Sequence, residues 1–168
     1  MIYTITHSKV RFEYLCPKVS DILFEDIAHS LSNLCRFTGH VRTFESVAQH
    51  SIMVSQYVSK ENALWGLLHD APETYVNDLA SPLKKLINGN YLFFHDMFMT
   101  RICDKFGLPR EEPKEVKVWD RIITVNELWC LIDDTHEEEN IPELFDHIEC
   151  WPPEKAKEEF YKRFEELK

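Results

Sequence analysis

Glycine is scarce, with 4 in 168 residues. A collagen-like chain, a Gly-rich linker or a many-turned all-β protein needs far more of it. No apolar run approaches the ~20 residues that a membrane-crossing helix requires. The start, Met1-Ile2-Tyr3-Thr4-Ile5-Thr6-His7, has no basic stretch leading into an apolar one, so no secretory leader is expected. Basic residues are outnumbered, 19 against 29 acids, for a net charge of -10. An unspecialised grip on a nucleic-acid polymer or on an anionic membrane surface relies on the opposite balance. A small anionic ligand would need a local cation, either a metal or a few converging Arg and Lys. There is no Cys-x-x-Cys either. The five cysteines, at 16, 35, 103, 130 and 150, are odd in number and widely spaced. That pattern speaks against a disulfide scaffold or a thiolate zinc knuckle, and for reduced thiols in a cytoplasmic protein.

What the chain does hold is core material: 44% hydrophobic residues and 12% aromatic, in a length suited to one domain. Residues 2–14 alternate and are rich in β-branched and aromatic types, predicting a small hairpin within 1–15 that turns near His7-Ser8-Lys9. All that follows has helical periodicity, so the fold class expected is all-α with a small N-terminal β element. A helical core is expected over 20–132, beginning with a helix over 22–34 capped by Asp21. Further helices are expected over 45–59, over 61–71 with a break at Pro72, from Ser81-Pro82 to Asn88-Gly89-Asn90, and over 91–106 with a stop at Gly107. A long helix is expected over 114–132, then a solvated acidic loop over 133–140 and a last helix over 152–168. That last helix carries Ala156, Phe160, Phe164 and Leu167 on one stripe.

Four polar residues sit where apolar ones are expected. His50 has Val47, Val54 and Tyr57 as its helical neighbours. His69-Asp70 ends the run Ala63-Leu64-Trp65-Gly66-Leu67-Leu68, and Asp120 lies between Val116 and Ile123. Taken singly each has an ordinary reading, as a core histidine or a salt-bridged acid. An His-Asp pair is itself expected about 0.5 times by chance in such a chain. A second pair, His95-Asp96, does occur, and reads as a decoy on a core helix. The first pair differs because Glu73 and Asp78 follow it. Unpaired buried carboxylates are costly, so such groups gather around a cation or one another. Together His50, His69, Asp70 and Asp120 supply two imidazoles and two carboxylates from three helices, a set suited to one divalent ion of the Mn, Co, Fe, Ni or Zn class.

The order His50, His69-Asp70, Asp120 resembles the H…HD…D signature of HD-domain metal-dependent phosphohydrolases. With Arg36 ahead and Glu73 and Asp78 behind, it is similar to their 5′-deoxynucleotidase branch and its phage dNTP-hydrolysing relatives. The segments Leu31–His40, Ser46–His50 and Asp78–Lys84 resemble a prophage-encoded branch of that group. The resemblance implies a single HD-domain helical bundle over 1–168 and a cytoplasmic enzyme. That enzyme would hydrolyse a (deoxy)nucleoside 5′-monophosphate to nucleoside and phosphate with a metal-activated water. It also allows release of tripolyphosphate from a dNTP, or a nucleotide-binding module without catalysis. A plain helical scaffold is the remaining alternative. On this resemblance His50, His69, Asp70 and Asp120 would hold the metal. Glu73 would serve as general acid or base, and Asp78 would orient a water or sugar hydroxyl. Arg36, Lys84 and Lys117 would attend the phosphate. Phe37 stands where that branch has a tryptophan against the sugar, and His40 has a weaker claim on phosphate. The partner implied is a small nucleotide, with no nucleic-acid polymer and no membrane. The group often forms homo-oligomers, which the stripe of the last helix could serve instead of the core.

Overall fold

The alternating N-terminal segment forms its hairpin. Strand β1 (Tyr3–Ile5) pairs antiparallel with β2 (Arg11–Glu13) in the register Tyr3↔Glu13. The turn closes where the Lys9 amide donates to the Thr6 carbonyl, with Lys9 at φ 62°. Phe12, the inward residue of β2, is fully buried and stacks on Tyr75 at 3.9 Å between ring centroids. The computed structural model describes residues 2–87, 89–133 and 140–168.

Eight helices follow among the described residues: α1 (Phe24–Asn33), α2 (Val47–Tyr57), α3 (Ala63–Leu68), α4 (Glu73–Val76), α5 (Ser81–Leu86), α6 (Asn90–Phe106), α7 (Lys114–Leu131) and α8 (Pro153–Leu167). Local chemistry sets several ends. The Ser46 hydroxyl caps α2 by accepting from the Gln49 amide. Gly107, at φ 70°, takes the left-handed position that stops α6. Two expectations are corrected. Asp21 does not cap α1; it lies in the 3-10 turn Val19–Asp21 and accepts from the Ser20 hydroxyl, and α1 starts after Leu23 with no side-chain cap. Pro72 does not simply break a helix over 61–71. Helix α3 ends at Leu68, and Pro72, itself at helical φ/ψ, opens α4, where its carbonyl accepts from the Tyr75 amide. Pro is tolerated there because a first-turn amide has no helical partner to lose. Most of the acidic stretch over 133–140, and Asn88, lie outside the described residues.

Helix α2 is the axis of the core, packed against α1, α3, α7 and α8. It buries polar Gln49, His50, Ser51 and Ser55 as well as Val47, Ala48, Ile52 and Val54. The serines satisfy themselves on backbone: Ser51 on the Val47 carbonyl at 2.9 Å and Ser55 on that of Ile52 at 2.7 Å. Helix α3 approaches it tightly at Gly66, where an added Cβ would sit 3.2 Å from the Ser55 Cα. Helix α8 turns its stripe inward. Ala156, Phe160 and Phe164 are buried, and Phe164 stacks on Phe24 at 3.8 Å, so the stripe serves the core. The segment leading into α8 is pinned by two buried amides. Asn126 binds the Pro142 carbonyl and the Leu144 amide, and Gln49 binds the Glu149 carbonyl and the Trp151 amide. Among the described residues no helix is long and apolar enough to cross a membrane.

Candidate metal centre

Three helices deliver the predicted ligands to one point. His50 comes from the first half of α2, His69 and Asp70 from just past the end of α3, and Asp120 from α7. The Nε2 of His50 is 3.1 Å from Asp120 Oδ1 and 3.8 Å from Asp70 Oδ2. The Nε2 of His69 is 3.1 Å from Asp70 Oδ2 and 3.7 Å from Asp120 Oδ1. One ligand atom each from His50, His69 and Asp120 lie within 4.8 Å of one another, a group that could hold a metal ion. Both rings are buried, while the Asp70 and Asp120 side chains keep 17% and 38% of their exposure. The point is therefore open to solvent on its carboxylate side.

The far nitrogen of each ring is committed. His69 Nδ1 lies 2.7 Å from the Gly66 carbonyl, which can only accept, so Nδ1 carries the proton. His50 Nδ1 lies 2.7 Å from Glu127 Oε1, whose carboxyl is held below its usual range by Arg36 and His50 against the effect of burial. Once neutral, each ring would thus turn a lone pair on Nε2 toward the common point, the arrangement that backing carboxylates and carbonyls impose on metal-binding histidines. His69 Nε2 is also buried without a hydrogen-bond partner, 3.1 Å from Asp70 but off the bonding direction. A buried unmade bond at a ligand nitrogen is what a cation would satisfy, so the residues fit one.

Burial and Arg36 disfavour protonation of His50, yet Glu127 and Asp120 outweigh them and hold its pKa at about 9. Burial likewise opposes protonation of His69, and Asp70 and Asp120 raise it well above the ordinary value. The carboxyls respond in kind. Despite burial, the two rings keep Asp70 and Asp120 well below the usual range. Without a cation the cluster therefore holds protons in its place.

Glu73 begins α4 beside this centre and is buried. Its Oε1 accepts from Lys84 Nζ at 2.8 Å, and its Oε2 has no partner. Burial, then Asp70 and Asp78, push its pKa up to about 8. Lys84 also stands 3.6 Å from Asp78 Oδ1, so Glu73, Asp78 and Lys84 form one group. Arg36 is buried behind the centre. It donates through Nε at 3.1 Å and Nη2 at 2.7 Å to Glu127 Oε2, and through Nη2 at 2.9 Å to Thr124. Phe37 follows it at φ 52° with its ring centroid 5.2 Å from the guanidinium carbon, in a left-handed run with Thr38 and Gly39. Two residues of the predicted set stand apart. The Lys117 side chain is 77% exposed and its ion-pair partner is Glu112, at 3.6 Å. His40 is exposed at the end of the turn after Arg36. In the second His-Asp pair, Asp96 points to solvent, 79% exposed, and His95 stacks on Tyr91.

Two buried acids close to this centre escaped the sequence reading. Glu127 joins His50 to Arg36, and its position seven residues after Asp120, two helical turns, is the signal that could have found it. Glu45 is fully buried with both carboxyl oxygens unpartnered. Burial and Glu127 raise its pKa to about 8.

No family model matches the chain. The chain is 41% identical over 127 residues to the uncharacterized protein YfdR of Escherichia coli K12, covering 76% of this chain and 71% of YfdR. It is 34% identical over 116 residues to an uncharacterized protein of Rhodobacter capsulatus, covering 64% of this chain and 59% of that one. Identity of this extent, over most of both sequences, shows that the chain belongs to the family of YfdR.

Proposed function

We propose that the protein is a metal-dependent phosphohydrolase of HD-domain type that splits (deoxy)nucleoside 5′-monophosphates into nucleoside and phosphate. The observation that carries this reading is the convergence of His50, His69 and Asp120 on one solvent-facing point, beside a buried, proton-holding Glu73. Asp70, 3.1 Å from His69, would complete a four-residue ligand set. A divalent cation held there would polarise a phosphoryl oxygen and acidify a water. The chain's own residues supply the rest. Glu73, with its pKa near 8, can hold a proton on Oε2 for the departing 5′-oxygen or take one from the attacking water. Lys84 keeps Glu73 in place and brings a positive charge to a site otherwise ringed by acids. Arg36 in this reading positions His50 through Glu127.

The test is a panel of NMPs, dNMPs and dNTPs with Mn, Co, Ni or Zn, scoring phosphate and tripolyphosphate separately. Phosphate from monophosphates, lowered by about 100-fold or more in Glu73→Ala, is the expected result. Tripolyphosphate would make the protein a dNTP hydrolase. Metal uptake with no turnover of any nucleotide would leave a binding module.

A further inference from the structure

Asp96 of the second His-Asp pair points to solvent, but His95 belongs to the neighbourhood of the metal centre. Helix α6 packs against α4, the helix that carries Glu73. Tyr91, in the first turn of α6, is buried and donates from its hydroxyl to the Asn77 carbonyl at 2.9 Å, next to Asp78. Its ring centroid lies 5.7 Å from Lys84 Nζ, the ammonium that bonds Glu73. His95 follows one helical turn later on the same face, its ring 6.1 Å from that of Tyr91 with 29° between their planes. Glu73, Lys84, Tyr91 and His95 therefore run on as one wall.

The His95 side chain keeps 25% of its exposure. Burial holds its pKa below the ordinary value. The strongest influence opposing burial is the charge of Asp70, ahead of Asp96, its neighbour in sequence. Coulomb attraction fades with distance, so the ring stands close to the centre that Asp70 helps to form. One nitrogen is engaged: Nδ1 lies 3.4 Å from Asp96 Oδ1, a carboxylate that can only accept, so Nδ1 carries the proton. Nε2 then presents a lone pair. It makes no hydrogen bond among the described residues, and it is not sealed from solvent.

We propose that His95 is a specificity residue of the metal centre, its Nε2 accepting a hydrogen bond from the 3′-hydroxyl of a bound nucleotide. A phosphate dianion has no proton to offer such an acceptor, whereas a sugar hydroxyl does. The 3′-hydroxyl is the one that ribose and deoxyribose 5′-phosphates share. In a nucleotide the sugar comes next after the 5′-phosphate, as His95 comes next along the wall after Lys84. Tyr91 positions both, since its ring lies against the Lys84 ammonium and the His95 imidazole. The role rests on the proposal that nucleotides bind at the metal centre.

The test compares the deoxynucleoside 5′-monophosphates with their 2′,3′-dideoxy analogues, which lack only that hydroxyl. Binding is measured by calorimetry on the Mn-loaded full chain carrying Glu73→Gln, and phosphate release on the Mn-loaded wild type. The deoxynucleotide should bind about tenfold more tightly than its dideoxy analogue. His95→Ala should remove this preference, weakening the deoxynucleotide about tenfold and leaving the dideoxynucleotide within about twofold. His95→Phe keeps a ring against Tyr91 without an acceptor, so it should do the same and serves if His95→Ala fails to fold. Equal binding of the two nucleotides, or a preference that survives loss of His95, overturns the role. Absence of any nucleotide binding overturns it as well. A His95-dependent preference without phosphate release would uphold the role and sink the proposed hydrolysis alone.

Discussion

Glu127 is the side chain that fixes the direction of His50. One carboxyl oxygen accepts a hydrogen bond from Nδ1 and the other accepts the fork of Arg36, so a single acid orients a ligand ring and neutralises a buried cation. Removing the charge while keeping the shape separates these roles. Glu127→Gln leaves an amide that can still accept from Nδ1, but more weakly, and Arg36 loses its ion pair in a buried setting. Metal affinity should fall by about 10–100-fold, the usual cost of changing the group behind a ligand histidine. Stability should fall by about 3–5 kcal/mol, because an unpaired buried guanidinium is the more expensive loss. Calorimetric titration with Mn or Zn and urea unfolding in chelator measure the two separately. Unchanged affinity would show that His50 is oriented without Glu127. The sequence made His50 readable because it interrupts an apolar face. Glu127 is harder to read: two turns after Asp120 puts it on the same face, but it sits in a mixed run, Val125-Asn126-Glu127-Leu128-Trp129, where a buried acid and an exposed one leave the same local pattern.

At the level of elements, the centre depends on how closely α2 and α3 approach, since one carries His50 and the other leads directly into His69. Gly66 sets that distance. A methyl there would meet the Ser55 Cα and Val58 Cγ2, each at 3.2 Å, and Cα is backbone that cannot swing aside. The same residue's carbonyl orients the His69 ring. Gly66→Ala should therefore cost about 1–3 kcal/mol through overpacking, despite alanine's better helix propensity. It should also weaken metal binding, because separation of the helices moves one ring off the shared point. A thermal melt and a metal titration of the variant check both effects; a variant more stable than wild type would mean that α3 moves freely against α2. Helix α7 explains which elements were legible. Its length, its apolar stripe and Asp120 follow from a helical period that tertiary packing reinforces. Lys117 follows the same period, yet a long exposed chain answers to its nearest acid, Glu112, rather than to the face it is drawn on. The Asp21 cap failed for a related reason. The Val19–Asp21 turn and the burial of Ile22 fix the entry to α1, and a hydroxyl one residue away claims the carboxyl.

For the whole molecule, the buried acids set how stability depends on pH, and they pull in two directions. Asp70, Asp120 and Glu127 have folded pKa values below the ordinary range, so their contribution is present above that range and lost as pH falls through the lowered values. Glu45 and Glu73 are the reverse case, each near 8 in the fold against an ordinary 4.5. Between those pH values the native state keeps protons that the unfolded chain has released, so stability drops as pH rises from the ordinary value toward 8 and levels off above it. Lys84 tempers this at Glu73, but Glu45 has no bonded partner for either oxygen, which makes it the cleaner probe. Glu45→Gln cannot titrate, so its stability curve should lack this part of the alkaline decline. Measured by urea unfolding in chelator from about pH 5 to 9, the difference between variant and wild type should move by on the order of 2–4 kcal/mol in the variant's favour. That change is read as a slope. It stands whatever constant offset the buried amide introduces, and parallel curves across the range would show that Glu45 is already ionised in the fold.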